Sequence, residues 1–227
     1  MDTRQWDRLA AATGIAFVVM QIATGVFMGD TPDFDAGPRE IRNYFIDDGG
    51  AILAVTMINA FSAFFFVWFL GSLRAVLRIA EGGQGRLSTV AFAGGLATIT
   101  IAIAASLPGA ALAWENTARV VDPGTLLFVW NLNALGFVGL VGTGMAFVLA
   151  VTVVILRTRV FPTWVAAIGV LAAVAQVLNG FTLVADDYET PFAFFGFLGF
   201  ALTMIFILIL SIIMVMRLGA DQPVAME

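Results

Sequence analysis

The chain has 227 residues, 60% of them hydrophobic and only 12% charged, with a net charge of −5. A soluble domain carries about a quarter charged residues, so the solvent of this chain is largely lipid. It contains no Cys, no His and no Lys. That excludes disulfides, thiolate nucleophiles and sulfur-ligated metals, imidazole ligands and bases, and lysine Schiff bases.

A helix crossing ~30 Å of hydrocarbon needs about 20 apolar residues. Six stretches meet that length, roughly 9–28, 51–73, 87–113, 124–156, 160–185 and 191–216, and none holds a charged residue. The expected fold is all-α: a polytopic membrane protein, one domain over 1–227, built as a bundle of six transmembrane helices. The first stretch is flanked by Arg4 and Arg8 but lacks a small-x-small cleavage site, so it reads as an uncleaved span. Arginine placement sets the orientation. With the N-terminus inside, Arg4, Arg8, Arg74, Arg78, Arg86, Arg157, Arg159 and Arg217 are inner, and only Arg39, Arg42 and Arg119 are outer. Both termini are therefore expected in the cytoplasm. The acids Asp30, Asp33, Asp35, Glu40, Asp47, Asp48, Glu115, Asp122, Asp186, Asp187 and Glu189 make the outer face negative. The charge thus follows the membrane faces and implies no nucleic-acid partner.

In the first outer loop, Pro38 suits a first helical turn. Ile41, Tyr44 and Phe45 then fall at i, i+3 and i+4. This predicts a short amphipathic helix over about 38–47, serving as a packed connector or as a lid or partner surface. The second span leaves the membrane at Leu73-Arg74. Arg74 and Arg78 share a helix face and suit anionic headgroups, as do Arg157 and Arg159 at the next basic turn. The third span carries Pro108, which removes a backbone hydrogen bond that a neighbour must answer.

The fourth span opens with Asp122 as N-cap and Pro123 at the first helical position. It continues to Leu156, which is over 30 residues or roughly 50 Å at ~1.5 Å per residue. A single helix of that length must tilt or stand above the membrane. Gly136, Gly139, Gly142 and Gly144 make it thin, so it is expected at the centre of the bundle. The sixth span, Phe-rich toward the outside, suits lipid contact. Val90-Ala91-x-x-Gly94-x-Leu96-Ala97 recurs as Val165-Ala166-x-x-Gly169-x-Leu171-Ala172, an echo between the third and fifth spans.

The embedded amides carry the most information. Gln21, Asn59, Asn131, Asn133, Gln176 and Asn179 all fall in the outer half of their spans. Trp130 joins them through the excess length of the fourth. An unpaired amide in hydrocarbon costs several kcal/mol, so these groups pair with each other, with backbone or with water. Two readings follow: interhelical glue, with contacts of about 0.6–2 kcal/mol, or a polar cavity opening outward that holds a ligand.

The turn Leu156-Arg157-Thr-Arg159-x-Phe161-Pro162-x-Trp164-x-Ala166-x-x-Gly169 resembles that of six-span bacterial membrane proteins of unknown function, of the kind frequent in high-GC actinobacteria. The Phe69-Leu-Gly-Ser-Leu73-Arg74 exit, followed by Ala80-Glu81-Gly82-Gly83, is similar to the same group. The resemblance implies a plasma-membrane protein and carries over no catalytic residue. The reading is therefore non-enzymatic, with no cofactor, no metal site and no catalytic residues. The protein would meet the bilayer and bind a lipid-like or small neutral ligand, or a partner subunit, through the outer half of the bundle. The rivals are a facilitator-type transporter or channel, and a ligand-free scaffold paired with another membrane protein.

Overall fold

The computed structural model describes residues 3–33, 35–185 and 191–220; the acids Asp186, Asp187 and Glu189 lie outside them. The chain is all-helical there, and six of its helical spans are long and apolar enough to cross a membrane. Helix α1 covers Thr3–Phe27, α2 Pro38–Asp47, α3 Gly49–Glu81 and α4 Arg86–Ala113. A 3₁₀ turn, Trp114–Arg119, leads into α5 (Pro123–Val138) and α6 (Val141–Thr158). Then come α7 (Thr163–Gly180), the short α8 (Thr182–Ala185) and α9 (Pro191–Ala220).

The spans alternate in direction, so one end of the bundle gathers Arg8, Arg74, Arg78, Arg86, Arg157, Arg159 and Arg217. The other end gathers the acidic loops. Around the bundle the order of contacts follows the chain: α1 packs on α3, α3 on α4, α4 on α5 and α6, α6 on α7, α7 on α9, and α9 on α1. The six spans thus close into a ring. The fourth span is the most buried of them, with half of its most apolar window inside the protein against a third or less elsewhere.

The helix ends follow from local chemistry. Asp122 caps α5, its Oδ1 accepting from the Gly124 and Thr125 amides at 2.9 and 3.0 Å. Hydrogen bonds from Thr125 and Gly124 hold that carboxyl below its ordinary pKa range. Helix α3 runs two turns past the expected exit at Leu73, because nothing stops it before Gly82 (φ +67°). The Glu81 carboxylate then accepts from the Leu87 and Ser88 amides at 2.8 and 2.9 Å, filling the open N-terminus of α4.

The long fourth helix does not form as one piece. It breaks at Gly139–Leu140, where the Leu140 amide bonds to Phe137 in an i→i+3 pattern. Both residues keep right-handed dihedrals, so the break is a local tightening rather than a loop. A second glycine-based contact joins neighbours tightly. At Gly94 of α4 an added Cβ would lie 2.7 Å from the Phe147 amide nitrogen and 3.0 Å from the Thr143 carbonyl, both in α6. Its counterpart in the sequence echo, Gly169, faces Thr152 of α6 and Phe206 of α9. Both repeated glycines are therefore places where helices touch closely.

The core lies toward the arginine-rich end and is built from Phe69, Leu73, Val151, Ile155, Phe206 and Leu210, all but fully buried. A smaller cluster sits at the acidic end. There α2 buries Ile41, Tyr44 and Phe45 against Ile52, Leu112 and Leu126. Arg42 pins this helix by donating to the Val121 carbonyl at 2.8 Å. The amphipathic helix is thus a packed cap over the ring.

Because the atoms crowding Gly94 belong to backbone, Gly94→Ala forces α4 away from α6. We expect a loss of about 1–3 kcal/mol, read as a lowered unfolding temperature in detergent. Gly142→Ala, where nothing lies within 4 Å of an added Cβ, leaves that temperature unchanged or raised.

Candidate ligand cavity

The ring is filled toward the arginine-rich end and hollow toward the acidic end. A central chamber of about 200 Å³ is lined by residues from all six spans. An outer chamber of about 410 Å³ lies beneath α2 and beside the segment that follows α1. Gln21, Asn59, Phe137 and Phe200 line both, so they form a neck between the two. The outer volume falls in the range of small-molecule sites, about 300–1,000 Å³. Among the described residues, no charged one lines either chamber. The floor of the central chamber is aromatic: Phe17 stacks on Phe66 at 4.6 Å, and Phe66 meets Phe147 edge to face at 6.0 Å. Below them lies the apolar core.

Gln21, on the face of α1 that meets α3, donates through Nε2 to Asn59 Oδ1 at 3.2 Å and to Ser62 Oγ at 2.9 Å. Ser62 passes its own proton to the Asn59 carbonyl. Across the chamber, Gln176 Nε2 of α7 donates to Thr203 Oγ1 of α9 at 3.0 Å, and Thr203 donates to the Gly199 carbonyl. Thr203 has then used its proton, which leaves Gln176 Oε1 as the outer atom of the amide. That oxygen is buried without a partner and sits against Gly144. Asn179, one helical turn further out, also lines the central chamber, in a hollow left by Gly196.

Asn133 lines the outer chamber and donates to the Ala105 carbonyl at 2.9 Å. The reason lies one residue away. Pro108 cannot donate to the Ala104 carbonyl, so α4 lacks one backbone bond in the turn beside the carbonyl that Asn133 reaches. Gly109 leaves the space, since an added Cβ there would lie 3.0 Å from Asn133 Nδ2. Trp130 lines the same chamber, its ring edge-on to Tyr44 at 6.3 Å and to Phe45 at 6.1 Å. Burial beneath this cap, and then the charge of Asp48, push the Tyr44 phenol above its ordinary pKa, so it stays neutral.

Six of the seven sequence-nominated residues therefore line these two adjoining chambers: Gln21, Asn59, Trp130, Asn133, Gln176 and Asn179. Asn131 does not; it is exposed and lines neither chamber. Arg74, Arg78, Arg157 and Arg159 are exposed at the opposite end. Arg74 lies over the Phe92 ring at 5.4 Å, and Arg159 ends α6 in a left-handed conformation, φ 56°. Sequence reasoning missed the hydroxyls Thr98 and Thr203. Thr98 bonds to Thr143 of α6 at 3.0 Å and to the Gly94 carbonyl. Their depth matched that of the amides, which was the available signal. It also missed Phe137 and Phe200, because nothing in the local pattern separates a lipid-facing Phe from one at a neck.

No protein-family profile, curated protein or solved structure matches this chain.

The geometry separates structural amides from cavity amides. Asn133→Leu removes the α5-to-α4 bond to the Ala105 carbonyl and lowers stability by about 0.6–2 kcal/mol. Asn131→Leu leaves it unchanged. Thermal unfolding of the two variants in the same detergent gives the comparison.

Proposed function

We propose that this protein is a non-enzymatic integral membrane protein that holds a lipid-like or small neutral ligand in the acidic half of its helix bundle. One observation carries the reading. Amides from α1, α3 and α7 converge on a cavity lined by all six spans, with no charged residue among its described lining. Interhelical glue alone does not require a hollow, since an amide bonded to its neighbour packs as well in a filled core. An uncharged, largely apolar cavity with a few convergent polar groups suits a neutral ligand. By the arginine rule the arginine-rich end faces the cytoplasm, with both termini there, and the cavity opens to the outer side. On the resemblance at Leu156–Gly169, the membrane is the bacterial plasma membrane. The exposed Arg74, Arg78, Arg157 and Arg159 then meet anionic headgroups.

A second reading, a facilitator-type transporter, draws support from the break at Gly139–Leu140. Interrupted spans that line a cavity mark substrate paths in transporters, and Leu140 lines this one. It ranks below binding because the aromatic floor and the core beneath it offer no polar route onward. A partner subunit or a bare scaffold is the third.

Native mass spectrometry of protein released directly from membranes tests the ordering. We expect a bound small-molecule mass that disappears in Ala102→Phe, which adds a phenyl ring to the lining of the central chamber and removes none of its polar groups. A bare monomer in the wild type, or an unchanged adduct in Ala102→Phe, overturns the ligand reading. Solute flux in liposomes bearing the wild-type protein, abolished by the same substitution, moves the assignment to the transporter.

A further inference from the structure

We infer that the neck between the chambers recognises a neutral hydroxyl head group, with the apolar body of an alcohol lying along the Phe-lined walls. This rests on the ligand reading above and names the class of ligand. The carrying observation is the state of the two amides at the neck. Gln21 Nε2 spends its protons on Asn59 Oδ1 and Ser62 Oγ. What remains is Gln21 Oε1, an acceptor, beside Asn59 Nδ2, a donor. Reversing both amides keeps the same bond between them and leaves Gln21 Nε2 beside Asn59 Oδ1. In either arrangement the pair presents one donor and one acceptor to the neck.

The other polar groups of the central chamber are largely committed. Thr98 and Thr203 bond to backbone and to side chains of neighbouring helices. Gln176 has spent one of its two protons on Thr203, its acceptor is sealed against Gly144, and Asn179 stands one turn further out. Of the four residues that line both chambers only Gln21 and Asn59 are polar, so recognition at the neck falls on that pair, with Phe137 and Phe200 as its apolar lining.

A hydroxyl is a donor and an acceptor on one atom, so it answers both free positions. An ether or a quinone carbonyl only accepts and leaves the glutamine oxygen unanswered. An ammonium only donates and would sit among described side chains that carry no negative charge. A carboxylate or phosphate finds no cation among the described residues of either chamber. A single buried, unanswered polar position separates ligands by about tenfold or more.

The probes are 1-decanol and its methyl ether, 1-methoxydecane, with n-decane as the apolar control, titrated separately into purified wild-type protein, Asn59→Leu and Gln21→Met, with binding read by native mass spectrometry. In the wild type decanol should bind about tenfold more tightly than the ether. In both variants decanol should lose its advantage over the ether, while n-decane, which makes no polar contact, binds as in the wild type and so reports an intact cavity. Equal affinities in the wild type, or a preference that persists in both variants, overturns the hydroxyl assignment and leaves the cavity reading standing. Failure of both probes to bind the wild type overturns the two together.

Discussion

In hydrocarbon a polar group finds no water, so each must be answered from inside the bundle. Much of this structure follows from that single condition. Pro108 disturbs the backbone of α4, and Asn133 of α5 answers the Ala105 carbonyl beside it. Gln176 reaches Thr203 and so ties α7 to α9. Gln21 ties α1 to α3 through Asn59 and Ser62. Ser211 donates to the Ala11 carbonyl and ties α9 back to α1. These bonds join neighbours around the ring, and the direction of each is set by which proton has already been used.

The glycines and the amides turn out to be one device. An amide near mid-membrane needs room as well as a partner, and a glycine on the facing helix supplies it. Gly109 receives Asn133, Gly144 receives the Gln176 oxygen, and Gly196 receives Asn179. Toward the arginine-rich end, where Gln5 and Gln84 are exposed rather than embedded, Gly94 and Gly169 instead let helices meet backbone to backbone or side chain. The same residue type therefore closes one half of the ring and makes space in the other.

The acidic end is closed by a different means. Helix α2 buries an aromatic and aliphatic stripe over the bundle, and Trp130 packs edge-on beneath it. Together they roof the outer chamber while the aromatic floor ends the central one. The break at Gly139–Leu140 lets the upper part of the fourth span, α5, follow α4 while α6 turns in to meet α4 and α7.

How much was legible in the sequence differs by the range of the physics involved. Span positions, the arginine-rich end, the α2 stripe and the Asp122 cap are local matters. They depend on residue length, hydrophobic period and capping chemistry, so the sequence by itself determined them. The depth of the amides was also readable, since rise per residue converts position into height. Azimuth was not. Asn131 and Asn133 are two residues apart and nearly equal in height, yet one faces out and the other lines the cavity. The fourth span was read as one helix because its residues are uniformly apolar, and an i→i+3 tightening at Gly139–Leu140 leaves no mark in such a run. Which amide uses its proton, which keeps it, and which glycine stands opposite are decided only when six helices close into a ring, because hydrogen bonding and close packing act between spans distant in sequence.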